Sequence, residues 1–143
     1  MSEIVRETLF QLVTDEFPGA MPGFTMTFEG QKKDPPKGAP FIYVTLQEGK
    51  SWRANIGNVS QFKAYGVLNV QILQPEDTGT KAARLAADAL FRILADRQMA
   101  SADGLGSVTL CEVETRNRGT LNGFQVFNVM ATYWHRFSID RTL

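Results

Sequence analysis

The sequence predicts an α+β fold: a mainly antiparallel, mixed β-sheet of about four to five strands, two helices packed on one face, and a projecting β-hairpin or loop. Three observations carry this. Residues 65–97, YGVLNVQILQPEDTGTKAARLAADALFRILADR, read in succession as strand, loop and helix. Only two segments of the chain have convincing helical spacing, which is too few to cover both faces of a sheet. The last strand-like segment, residues 124–137, is apolar at alternate positions on both parities, so its second face also expects a cover.

The N-terminal helix follows from Ile4, Val5, Leu9, Leu12 and Val13 at helical spacing, with Ser2 as a cap and Pro18 as the stop. FTMTF then alternates, placing Phe24, Met26 and Phe28 on one side of a short strand. Prolines, glycines and lysines fill EGQKKDPPKGAP, so residues 29–40 are expected to form a flexible loop. The lysine and glycine of PPKGAP lack the strand, further glycines and helix of a phosphate-binding loop. FIYVTLQ is a strand by its β-branched content and alternation. In EGKSWRANIGNVS, Trp52 and Arg53 have two readings: a hairpin arm whose tryptophan folds back on its own domain, or a surface, with Lys50, that meets a partner.

In the central segment Leu68, Val70 and Ile72 share a face and Pro75 ends the strand, while Thr78 or Thr80 opens the helix beside Glu76 and Asp77. That helix is apolar over a broad arc that includes Ala83, Ala86, Leu90, Phe91 and Ile93, leaving a polar stripe of Lys81, Arg84, Asp88 and Arg92. RQMASADGLG reads as a polar connection. Residues 107–116 and 124–137 form two strands joined by NRGTLNG, with 138–143 as a C-terminal tail.

The 143 residues suit a single domain, and 43% hydrophobic with 21% charged residues is a soluble, globular composition. Fifteen basic residues balance fifteen acidic ones, which disfavours a free-standing nucleic-acid-binding module and sequence-specific nucleic-acid contacts. A lone cysteine, Cys111, expected as a small buried hydrophobe, excludes an internal disulfide. No apolar run approaches the roughly 20 residues of a membrane span, and the first residues lack the order of a signal peptide, so folding in a cytoplasm is expected.

Chemistry-bearing constellations are scarce. His135 is the only histidine and reads as a strand-edge or interface residue. Glu76 with Asp77, and Glu112 with Glu114, read as dipole partners or solvated acids rather than metal ligands or an acid/base pair. Gly104-Leu105-Gly106 lacks the rest of a dinucleotide fingerprint. No catalytic residue, metal or cofactor is expected, and the chain reads as no enzyme.

The order of elements resembles the tail terminator proteins of long-tailed phages, the lambda-like tail completion family. The resemblance rests on an N-terminal helix, the strand PFIYVTLQEG, the glycine-punctuated GKSWRANIG, and the strand Gly66, Val67, Leu68, Asn69, Val70, Gln71, Ile72. Gly79 and Thr80 then lead into a helix with Leu85, Ala86 and Asp88, and a closing strand follows over residues 124–134. It spans roughly residues 4–137.

The resemblance implies a ring, usually a hexamer, on the last ring of the tail tube, at the head-proximal end of the virion tail. Such a ring stops tube growth and presents a surface to the head or its connector. Its partners would be copies of itself, the tail tube protein and a head–tail connector or neck protein, with no membrane. Another ring-forming neck or head-closure protein is the nearest alternative, and a small-ligand-binding α+β domain a more distant one. A closing head-to-tail interface needs two different patches per subunit, and a stable one buries on the order of 1,600 Å² in total. Candidate contacts are Tyr43, Lys50, Trp52, Arg53, Met130 and Trp134, with Arg116 and Arg118 facing a lumen or a neighbouring ring.

Overall fold

A computed structural model describes residues 2–30, 38–54 and 59–140. The elements, in chain order, are α1 (Ser2–Ala20), β1 (Thr25–Phe28), β2 (Phe41–Arg53), β3 (Val59–Pro75), a 3₁₀ turn (Glu76–Thr78), α2 (Lys81–Leu94), β4 (Gln98–Ala100), β5 (Ser107–Leu121) and β6 (Phe124–Asp140). The strands form one sheet in the order β1-β2-β3-β6-β5-β4. β1 pairs parallel to β2 and every other pairing is antiparallel. The sheet thus has six strands where the sequence predicts four or five. The added one, β4, is only Gln-Met-Ala inside a polar connection, too short to show any alternation.

Helix α1 runs through Pro18 to Ala20 instead of ending before it. Residues 31–37 of the expected loop lie outside the described residues. β6 runs on to Asp140, which pairs with Val59, so the first residues read as a tail are strand.

The inner face of the sheet is the fold's core. Leu68, Val70 and Ile72 are fully buried, as are Val129 and Ala131 on β6 and Ile42 and Val44 on β2, which is what alternation at period two requires. Both helices lie on this face. α1 contributes Val5, Leu9, Val13 and Phe17; α2 contributes Ala83, Ala86, Leu90 and Leu94. Phe10 packs on Phe28 and Phe17 on Phe24, at ring separations of 4.9 and 5.9 Å, which seats α1 over β1. The Arg97 guanidinium donates to Glu16 and ties the end of α2 to α1.

At the start of α2, Thr80 is the N-cap, but its side chain makes no capping bond. Thr78 instead donates to the Pro75 carbonyl and accepts from Gln74. The apolar arc of α2 is covered by the sheet and α1 except at Leu85 and Phe91, which flank the polar stripe and are about half exposed.

Candidate functional site: the open face of the sheet

Bulges in β2 and β5 decide what the outer face carries. In β2 the odd residues Tyr43, Thr45 and Gln47 pair with Gln71, Asn69 and Val67 on the outer face. Strict alternation would send the even-numbered Trp52 inward. An irregularity between Glu48 and Ser51 inserts one extra residue, and Trp52 then pairs with Lys63 on the outer face. Glycine is required at this bulge, because a Cβ on Gly49 would stand 2.6 Å from the Tyr65 carbonyl oxygen and 3.1 Å from its ring. On the inner side Gly66 faces Tyr133, and a Cβ there would stand 2.3 Å from the Gln47 carbonyl oxygen. The strands approach this closely only because two glycines leave room for two tyrosine rings.

The bulge brings together three rings from three strands. Trp52 lies 5.6 Å from Tyr65 and 5.5 Å from Trp134, and Tyr65 lies 5.6 Å from Trp134. The Lys63 ammonium sits 4.3 Å above the Trp134 ring, a cation–π contact of about 0.5–1 kcal/mol where solvent reaches it. Trp52 remains 42% exposed and Tyr65 39%. Trp52 therefore does fold back on its own chain, and the cluster it completes stays open to water.

Of the candidate contacts, Trp52, Trp134, Tyr43 and Met130 share the outer face by register. Trp52 and Trp134 touch, whereas Tyr43 and Met130 lie further along the sheet. Lys50 is exposed in the bulge. Arg53 pairs with Phe62 on the opposite face from Trp52, so it does not join the cluster. Arg116 and Arg118 are exposed on the β5–β6 arm, where Arg116 bonds Glu114 at 2.7 Å. Sequence reasoning missed Lys63, and it places Tyr65 on the second face of its strand without counting it among the contacts. The signal was Lys63-x-Tyr65-x-Val67, the parity opposite the buried Leu68, Val70 and Ile72.

Two single residues fall elsewhere than expected. His135 is not at an edge or interface: it is 1% exposed on the inner face, paired with Ala64 and Val108. Burial holds its imidazole below its ordinary pKa, against the pull of Asp103. Cys111 is half-buried rather than core, because it follows the inward Leu110 and so falls on the outer parity, where a second irregularity begins between Leu110 and Val113. The same bulge keeps Glu114 and Arg116 on the outer face. Tyr133 is buried, and burial together with Glu48 pushes its hydroxyl up to about 12.

Among the described residues no three His, Cys, Asp or Glu side chains gather as a metal site. No helix is long and apolar enough to cross a membrane. The cavity beside His135 and Tyr133 is small, about 130 Å³, little more than room for one side chain.

The same architecture recurs in solved proteins. One structure, known only by a sequence identifier, superposes with a TM-score of 0.75 at 18% identity, over 96% of each chain. A chain in the virion of the native gene transfer agent (GTA) particle superposes with a TM-score of 0.56 at 12% identity, over 92% of each chain. At those identities the likeness is one of fold. No curated protein sequence matches this one.

A sheet closed by helices on one side and left aromatic on the other fits a subunit that assembles, and the class is that of phage tail structural proteins. The chain belongs to the phage tail terminator protein family, whose model matches residues 4–125.

Proposed function

We propose that this chain caps the end of the phage tail tube as a ring, most simply a hexamer, that stops tube polymerisation and offers the surface to which the head or its connector joins. The observation that carries the reading is the aromatic cluster of Trp52, Tyr65 and Trp134, half open to water on the face that no helix covers. Tryptophan and tyrosine held rigidly by neighbouring rings are the residue types on which interface energy concentrates, and a solitary subunit gains nothing by leaving them wet.

In this reading Trp52, Trp134, Tyr43, Lys50 and Met130 meet a neighbouring subunit or the tube, and Arg53 borders that contact from the other face. Arg116 and Arg118 face the lumen or the next ring. The ring sits at the head-proximal end of the tail, between the tail tube protein and a connector or neck protein, and assembles in the host cytoplasm. Its work is mechanical and needs no cofactor.

Particles assembled without the chain test this. Overlong tubes, seen by electron microscopy, are the expected result, whereas tubes of normal length beside full, unjoined heads would place the protein in head closure instead. Sedimentation of the isolated chain across a concentration series should show monomers or a reversible hexamer, and an obligate symmetric dimer would count against a ring.

A further inference from the structure

β2 and β5, each second from an edge of the sheet, are covered on their outer side over only part of their length, and the uncovered parts are complementary. β1 pairs with β2 over residues 41–44, and β4 pairs with β5 over residues 107–109. Among the described residues this leaves 45–53 of β2 and 111–121 of β5 without a strand on their outer side. These windows have similar length and lie at diagonally opposite corners, since residues 41–44 and 115–119 share one end of the sheet through β3 and β6.

Resting on the ring reading above, we infer that a subunit's β5 window pairs antiparallel with the β2 window of its neighbour, making one continuous sheet around the ring. Strand direction allows it without inversion. Three antiparallel steps separate β2 from β5, so the two run oppositely, and a simple rotation lays one beside the other as an antiparallel pair. The diagonal offset demands a stagger along the strands, which closing a sheet requires in any case. The short covering strands bound its extent: aligning Lys50 with Glu114 sets residues 45–53 against roughly 111–119, so the pairing stops at β1, which covers Val44, and short of β4, which covers residues 107–109.

Charge supports the same alignment. The β2 bulge places exposed Lys50 opposite the outward Tyr65, on the face that also carries Lys63. The β5 edge carries exposed Glu112 and Glu114 on that face. Antiparallel pairing therefore sets Lys50 against the two acids, an arrangement that stabilises cross-strand neighbours, and it brings the neighbour's strand alongside Trp52. The ion pair between Glu114 and Arg116 is shared by this contact rather than broken. Bulges and charges guard both edges against indiscriminate pairing, and here they also select the matching edge.

Cysteine pairing tests the contact. In a Cys111→Ser background, Lys50→Cys with Glu114→Cys should give on oxidation a ladder of covalent oligomers ending in a closed ring, while either cysteine alone stops at dimers. Reversing Lys50→Glu or Glu114→Lys singly should lower ring occupancy on tube ends several-fold, and the two together should restore it. Rings that form without a ladder, or that ignore both single reversals, would overturn the edge pairing and leave the ring reading intact. Absence of rings from tubes capped by the unmodified chain would overturn both.

Discussion

The inner and outer faces of this sheet are cut from the same strands, yet they obey different rules. On the inner face Leu68, Val70, Ile72, Val129 and Ala131 are fully buried under α1 and α2. On the outer face their immediate neighbours Asn69, Gln71 and Met130 are only partly covered, and Trp52 and Tyr65 stand half in water. One face is occupied with holding the chain together. The other carries large aromatic area that contributes little to a lone subunit, and in that sense the sheet is folded on one side and prepared on the other.

If the comparison holds, truncation on the inner face is the costliest change. Ile72→Ala or Leu90→Ala should destabilise by about 2–5 kcal/mol in urea titrations, the range for emptying a packed core site. A loss well under 1 kcal/mol would erase the distinction between the faces. Gly66→Ala comes next. Its methyl would meet backbone at the Gln47 carbonyl, which cannot swing aside as a side chain does, so overpacking of about 1–3 kcal/mol is expected.

His135 sharpens the inner side through pH. Because burial lowers its folded-state pKa, the unfolded chain takes up a proton that the folded chain resists once pH falls below about 6.5. The contribution is intact above that pH and declines below it. Thermal melts between pH 7.5 and 5.5 should therefore shift downward, and His135→Leu should flatten that slope.

The outer side should behave in the opposite way. Trp52→Ala removes ring contacts worth about 0.5–1.5 kcal/mol and so leaves a stably folded monomer, while ring formation on tube ends is lost. A variant that unfolds would mean the tryptophan serves the fold after all. Smallest is Arg97→Ala: its bond to Glu16 joins side chains each more than a third exposed, so screening limits the loss to under about 1 kcal/mol.

Much of the inner face is legible in the sequence, because its signals are local. Alternation of Leu68, Val70 and Ile72, the breadth of the alanine-rich helix and the Asn122-Gly123 turn each depend on residues close in sequence. At that turn both residues take positive φ, 51° and 81°, as a two-residue hairpin demands. Pro18 misled: the helix runs two residues past it through exposed Gly19 and Ala20, and the Met21 N–H still donates to the Phe17 carbonyl at 2.8 Å. His135 misled as well, because periodicity could place it on the core parity but could not say that Ala64 and Val108 would flank it.

The sequence by itself determined that this chain makes an α+β sheet with one greasy face, two helices to cover it and apolar residues left over, since those follow from spacing along the backbone. Only the tertiary structure decided what the leftover residues form. A single extra residue between Glu48 and Ser51 reverses the parity of the rest of β2, and that reversal turns Trp52 outward to meet Tyr65 and Trp134. Inserting one residue into a strand alters no local propensity, and its effect exists only once the partner strand fixes the register.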